Sequence, residues 1–254
     1  MRVIVTRPAA QADEWVAQLR AAGIDAVALP LIGIAPVENA AEIHSAWHGL
    51  STRRLVFFVS PNAVEQFFSG RPDGVSWPPV LLAGSPGPGT TRVLTRLGLG
   101  LGQVIEPASD AAQFDSESLW EELCALDWRG ASVLIVRGDG GRDWLARTLA
   151  AAGAQVDHVA AYRRVAPSFD GAQADLLRAA TEGPASHLWL FSSSEAIDNL
   201  EAACGAGRTG WHQAAAIATH PRIAARALQS GFSRVIEARP SLAAVIACIQ
   251  SFRP

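Results

Sequence analysis

Six short segments of this 254-residue chain set hydroxyl, imidazole, amide or guanidinium groups among small residues: Thr6-Arg7-Pro8, Ser60-Pro61-Asn62, residues 84–90, residues 137–142, Ser192-Ser193-Ser194 and Thr219-His220-Pro221-Arg222. Each follows an apolar run and precedes a helix-like pattern. There the open N–H groups of a helix start, together with a nearby arginine, can hold an anion. Taken singly, each segment is also an ordinary cap or turn. That both halves of the chain carry them points to one shared anion-binding cleft. A seventh stretch, residues 159–168, contains Tyr162, the only tyrosine. Its ring can be buried with the hydroxyl hydrogen-bonded. Alternatively it looks into the cleft, which the adjoining Arg163 and Arg164 favour because they fit poorly in a core.

Composition removes several other chemistries. All 21 basic residues are arginine, so Schiff-base, Walker A and lysine-dependent pyridoxal mechanisms are excluded. A net charge of −3 supplies no basic surplus for nucleic acid. The run Gly84-Ser85-Pro86-Gly87-Pro88-Gly89 misses the spacing of a dinucleotide loop, and its prolines remove donors such a loop uses. His44 and His48 stand four apart, but Trp47 lies between them and no third ligand is near, so they read as a helix surface and no metal is expected. Ser60 and Ser193 lack the glycine-flanked elbow of a serine hydrolase. Cys124, Cys204 and Cys248 are far apart with no CxxC, which fits reduced packing thiols. No apolar run reaches the roughly 20 residues of a membrane span, and the first residues read as a strand rather than a leader. The expectation is a cytoplasmic protein with neither membrane nor nucleic acid as partner.

The elements that must position these groups follow from periodicity. Strand-like runs at residues 2–6, 55–59, 80–83, 104–106, 132–136, 187–191, 214–218 and 234–237 alternate with helical patterns. The helices are expected near 11–22, with Asp13 and Glu14 in the first turn, and near 40–50, 60–68, 90–97 with Thr90 as cap, 119–123, 142–152, 170–180, 194–203, 221–228 and 241–249. Residues 26–34 and 155–162 are extended. Such alternation means parallel sheets covered on both faces. The pattern also repeats. Val5-Thr6-Arg7-Pro8 stands 130 residues before Ile135-Val136-Arg137-Gly138, Ala21-Ala22-Gly23 stands 130 before Ala151-Ala152-Gly153, and Val104-Ile105-Glu106 stands 131 before Val235-Ile236-Glu237. The stretch from Phe58 to Val64 matches that from Phe191 to Ile197 at 133. The fold expected is α/β, with two flavodoxin-like doubly wound parallel-sheet lobes from an internal duplication, joined by a two-stranded linker.

At this level of detail the chain resembles the uroporphyrinogen-III synthase family over essentially its whole length. The residues that carry the likeness are Val5-Thr6-Arg7-Pro8, Pro30-Leu31-Ile32, Phe58-Val59-Ser60-Pro61-Asn62-Ala63-Val64, Gly89-Thr90, Val136-Arg137-Gly138 with Gly141-Arg142, Ala161-Tyr162-Arg163-Arg164, Phe191-Ser192-Ser193 and His220-Pro221-Arg222-Ile223-Ala224. Each motif is short; their order and spacing are what is specific. The resemblance implies a discontinuous lobe over residues 1–35 and 166–254, a second lobe over 36–165, and linkers near 30–37 and 160–168. The repeat alone would permit a tandem split near Gly130.

The resemblance also implies a lyase that cyclises hydroxymethylbilane without metal or organic cofactor. Loss of the terminal hydroxyl gives an azafulvenium, ring D attacks it through its substituted carbon, and the spiro intermediate fragments and recloses with ring D inverted. Tyr162 matches the family's proton-donating tyrosine, and a phenol is protonated at neutral pH. Arg7, Ser60, Asn62, Thr90, Arg137, Ser192, Ser193, His220 and Arg222 are the expected substrate contacts, and a monomer is expected. Relatives open the last of these helices with a Gly-Pro-Thr-Thr-like segment where this chain has His220-Pro221-Arg222-Ile223, so His220 or Arg222 is expected to replace a hydroxyl contact. The rival reading is a non-catalytic two-lobed module that binds or senses a small anion.

Overall fold

The computed structural model describes residues 1–205 and 210–252. Its contacts divide the chain into two compact units, Met1–Gly33 with Val165–Pro254, and Ile34–Arg164. The chain opens with β1 (Arg2–Val5), whose Val3, Ile4 and Val5 are wholly buried. β-Branched side chains are stiff and pack well on a pleated surface. Helix α1 (Ala9–Ala21) turns Ala12, Val16 and Leu19 inward, and β2 (Ala26–Ala28) follows. β3 (Gly33–Pro36) then leads into the second unit.

That unit runs through α2 (Ala41–His48), β4 (Leu55–Phe58), α3 (Pro61–Ser69), β5 (Leu82–Gly84), α4 (Pro88–Arg96), β6 (Val104–Ile105), α5 (Ser116–Leu123), β7 (Ser132–Gly138), α6 (Trp144–Ala151) and β8 (Gln155–Val165). Its sheet has the order β3-β8-β7-β4-β5-β6. Alternate residues serve opposite faces. Val56, Phe58, Leu134 and Val136 pack with Val64, Phe67 and Leu94, while Leu55, Phe57, Val133 and Ile135 pack with Leu119, Leu123 and Leu149. A strand covered on both sides has no polar face, which is why these runs are continuously apolar.

The chain returns to the first unit through α7 (Gly171–Glu182), β9 (His187–Phe191), α8 (Ser194–Cys204), β10 (Ala215–Ala218), α9 (Pro221–Gln229), β11 (Arg234–Glu237) and α10 (Leu242–Ser251). The sheet order is β11-β10-β9-β1-β2, all pairs parallel. One face buries Val3, Val5, Leu188 and Leu190 against Val16, Leu19, Val245 and Ile249. On the strands, Trp189 and Phe191 form an aromatic cluster with Trp211 and Phe232, ring centroids 5.1 to 6.5 Å apart. With the edge strand β3 set aside, replacing β1, β2, β9, β10 and β11 by β7, β8, β4, β5 and β6 converts one sheet's spatial order into the other's. The first sheet has the flavodoxin-like order, whereas the second, counted in chain order from β4, has the Rossmann-like order; the reversal of chain direction across the sheet falls at β1/β9 and at β7/β4.

Three expectations about element starts are corrected. Helix α1 begins directly behind Pro8, so Asp13 and Glu14 lie in its second turn. Val80 is 90% exposed and outside the sheet; a turn from Leu81 N to Pro78 O delays β5 to Leu82. Helix α4 is capped at Gly87 with Pro88 in its first turn, so Thr90 is a buried residue inside the helix and not its cap. A proline's fixed φ suits the first helical position, which moves the start upstream.

A Cβ on Gly33 would stand 2.6 Å from Val165 Cγ2 and 3.2 Å and 3.3 Å from the carbonyl oxygens of Val165 and Ala166. Gly33→Ala is therefore expected to destabilise the fold by about 1–3 kcal/mol. Thermal melts should show Val165→Ala recovering part of the loss, and an unchanged melting temperature for Gly33→Ala would refute this packing.

Candidate functional site

In parallel sheets every strand delivers its carboxyl end to the same edge, where loops feed helix N-termini. The first unit places the loops after β1, β9 and β10 on neighbouring strands, and the second does the same with those after β4, β5 and β7. These are the six polar segments. Each set of three straddles its unit's reversal point, the usual place for a ligand in an open sheet of this kind.

Tyr162 is the most constrained side chain among them. A regular strand would send Ala161 and Tyr162 to opposite faces. Here Arg137 stands opposite Ala160 but Gly138 opposite Tyr162, a register shift that leaves Ala161 as an extra residue. The bulge turns Tyr162 onto the face of Val159 and Ala161, within the core formed with α3. Asp139 N–H donates to the Tyr162 carbonyl at 3.1 Å and fixes the irregularity. Gly138 is what admits the ring, since a Cβ there would lie 3.0 Å from Tyr162 Cε2. The side chain is 0% exposed, so the expectation that it looks into a cleft is corrected; the bulge packs the ring under Gly138.

The Tyr162 hydroxyl is 3.2 Å from Ser60 Oγ, and either atom can donate. Ser60 caps α3, accepting from Ala63 N–H at 3.2 Å, with Pro61 at the first helical position. The buried phenol, the half-buried serine and the positive end of α3 therefore form one hydrogen-bonded unit. Asn62, half-buried, follows in the first turn.

The arginines are held in different ways. Arg7 stacks over the Trp15 ring, 4.4 Å from its centroid. Arg137 pairs with Asp143, and this hydrogen bond holds the Asp143 carboxyl below its usual range. His158 stands 3.9 Å from Asp143; burial pushes its imidazole pKa down and Arg137 adds to this, while Asp143 and Asp157 oppose it. In the first unit, Ser193 caps α8 by position but makes no side-chain cap hydrogen bond, and Ser192 precedes it, half-buried. His220 Nδ1 accepts from Arg222 N–H at 3.1 Å, which puts the ring proton of the neutral form on Nε2. Arg222 itself is exposed.

Sequence reasoning missed Gly138, Trp15 and Asp143, each of which controls a candidate group. It also missed a small network behind Thr90, in which Thr91 Oγ1 donates to Glu106 Oε2 at 2.6 Å and lies 3.0 Å from the buried Ser85 Oγ. The recurrence of the triplet ending in Glu106 was the available signal. Among the described residues no cluster of three or more His, Cys, Asp or Glu could hold a metal ion, and no helix is long and apolar enough to cross a membrane.

The arrangement defines a two-unit parallel α/β protein with hydroxyls, helix N-termini and arginines gathered at the carboxyl edge of each sheet. A model of the family described as uroporphyrinogen-III synthase HemD matches residues 13–247. The uroporphyrinogen-III synthase of Salmonella typhimurium is 30% identical over 175 residues, 68% of this chain and 69% of the relative. That of Escherichia coli is 31% identical over 174 residues, again 68% and 69%. Among solved structures, a mutant uroporphyrinogen III synthase of Thermus thermophilus has a TM-score of 0.59 at 16% identity, covering 99% of this chain and 97% of that one. A uroporphyrinogen-III synthetase of Helicobacter pylori has a TM-score of 0.59 at 15% identity over the full length of both chains. The two structural likenesses bear on the fold alone. The family model over residues 13–247 and the two curated relatives decide the family: this chain belongs to the uroporphyrinogen-III synthase family.

Two outcomes are expected. Because Tyr162 is the sole tyrosine, a chain labelled with tyrosine carrying carbon-13 only at ring Cζ gives one ring resonance. Gly138→Ala should shift that resonance and weaken the link to Ser60; an unmoved signal would contradict the packing. His158 has a folded pKa below its ordinary 6.5, so its stabilising effect is present above 6.5 and is lost as pH falls through the folded value. Melting temperature followed from about pH 7.5 to about pH 5 should fall more steeply for the wild type than for His158→Gln.

Proposed function

We propose that this protein is a uroporphyrinogen-III synthase, closing hydroxymethylbilane to uroporphyrinogen III with inversion of ring D and loss of water. The observation that carries the reading is the family match over residues 13–247. The chemistry of the site supports it. A linear tetrapyrrole with acetate and propionate arms presents many carboxylates, and these need charged and N–H donors in quantity. Arg7, Ser192, Ser193, His220 and Arg222 in one unit, and Ser60, Asn62, Thr90 and Arg137 in the other, are the proposed contacts. His220 or Arg222 stands in for the hydroxyl contact that relatives make at the start of this helix.

Ring closure of the bilane is intrinsically easy, so the enzyme's task is to select the product. Fixing the carboxylate arms fixes the chain's fold, and a fold that brings the substituted carbon of ring D onto the azafulvenium favours the spiro route over direct closure. Tyr162 is the proposed proton source for the departing hydroxyl. No metal or organic cofactor enters the proposal. A monomer in the cytoplasm completes it; all three cysteines are thiols, which suits a reducing compartment. The relatives described above do not favour the reading as a non-catalytic anion sensor.

Freshly prepared hydroxymethylbilane supplied to the protein should accumulate as the type III isomer, resolved by chromatography after oxidation to the porphyrin. An isomer ratio left at its spontaneous value would overturn the proposal. Arg222→Ala is expected to raise KM several-fold with kcat largely kept, because a carboxylate contact acts mainly through binding. An unchanged KM would remove Arg222 from the site.

A further inference from the structure

Tyr162 presents a geometric difficulty as a direct proton donor. Its side chain is 0% exposed, its ring lies under Gly138, and its hydroxyl is directed at Ser60. A substrate cannot touch a phenol so enclosed. Ser60 is half-buried and stands at the carboxyl end of β4, beside the reversal point of the sheet, so it keeps the solvent access that Tyr162 lacks.

Building on the synthase reading, we infer that Ser60 is the catalytic residue that touches the leaving hydroxyl and that Tyr162 delivers the proton through it. The hydrogen-bonding capacity of Ser60 Oγ fits a relay. One lone pair accepts from Ala63 N–H at 3.2 Å, the second accepts from the Tyr162 hydroxyl at 3.2 Å, and the serine's own proton is left to donate to the substrate. The opposite polarity, with Ser60 donating to Tyr162, leaves the phenol proton without a second hydrogen-bond acceptor among the described residues. The α3 N-terminus adds a positive potential at Ser60 Oγ, which favours giving up that proton.

In the step itself the carbon–oxygen bond of the hydroxymethyl group breaks, and its electron pair leaves with the oxygen. The Ser60 Oγ proton moves to that oxygen, which departs as water. The Tyr162 proton moves to Ser60 Oγ, and the pyrrole nitrogen's electron pair fills the gap at carbon to give the azafulvenium. Tyr162 is left as phenolate. It is restored by the proton shed when the last ring regains aromaticity after closure, so no external acid, oxidant or reductant is consumed. Tyr162 thus acts as a proton reservoir behind the group that meets the substrate.

A relay makes the two hydroxyls one functional unit, and groups that act as a unit show non-additive losses. Turnover of hydroxymethylbilane is to be compared for wild type, Tyr162→Phe, Ser60→Ala and the double variant. Each single variant should lose at least about tenfold in kcat with KM little changed, a modest share of the usual effect of an acid catalyst. The double variant should be no slower than Ser60→Ala. Ser60→Thr, which keeps both cap and hydroxyl, should recover most of the rate. Ser60→Asn, which keeps a cap acceptor but has no transferable proton, should not, and it serves in place of Ser60→Ala if that variant melts early. The relay is overturned if the double variant loses the product of the two single losses, or if Ser60→Asn turns over like the wild type. A wild-type protein that leaves the isomer ratio at its spontaneous value fails earlier and differently, because it removes the parent reading before any variant is compared.

Discussion

Parallel strand pairing is the constraint on which the rest of this molecule depends. It is satisfied only by strands covered on both faces, and it directs every carboxyl end to one edge. Three polar loops in each unit are neighbours for that reason alone: β10, β9 and β1 adjoin, as do β7, β4 and β5. Nothing in the loops themselves brings them together. The apolar interior of the strands and the polar character of the loops are two results of one arrangement, since the first secures the sheet whose edge collects the second.

At that edge the two units use the same positions differently. Ser60 caps its helix and is tied to Tyr162, whereas Ser193, at the corresponding place, makes no side-chain cap bond. Arg7 is supported by the face of Trp15, whereas Arg137 is held by a carboxylate. The two units thus share a topology of loops without sharing the side-chain contacts made there.

Much of this was legible in the chain. The alternation of apolar runs with helical patterns specified the α/β class, and strands such as His187–Phe191 and Arg234–Glu237 appear with the bounds read from sequence. Ser60 was recognisable as a cap because serine before proline at a helix start has few other uses. What escaped reading depends on neighbours distant in the chain. The bulge that turns Tyr162 inward exists only in the register of β8 against β7, and the need for glycine at 138 only when that ring arrives. The partner of Arg137 lies six residues on, where Asp143 reads equally well as a helix cap. Thr90 was misassigned for a local reason, the choice between two small residues as the start of a helix that contains Pro88.

The β1–β9 pairing has a consequence for how the molecule comes into being. Val3 pairs with Leu188, so the first strand made cannot join its sheet until most of the chain exists. Residues 34–164, by contrast, are contiguous and contain every strand of their own central sheet. As synthesis proceeds from the N-terminus and compact units form when their parts are present, the inserted unit is complete while β1, β2 and α1 still wait for β9. Closing so long a loop is slow but adds little cost with length. Order of assembly thus departs from order in the chain: β1, made before the inserted unit, finds its place after it.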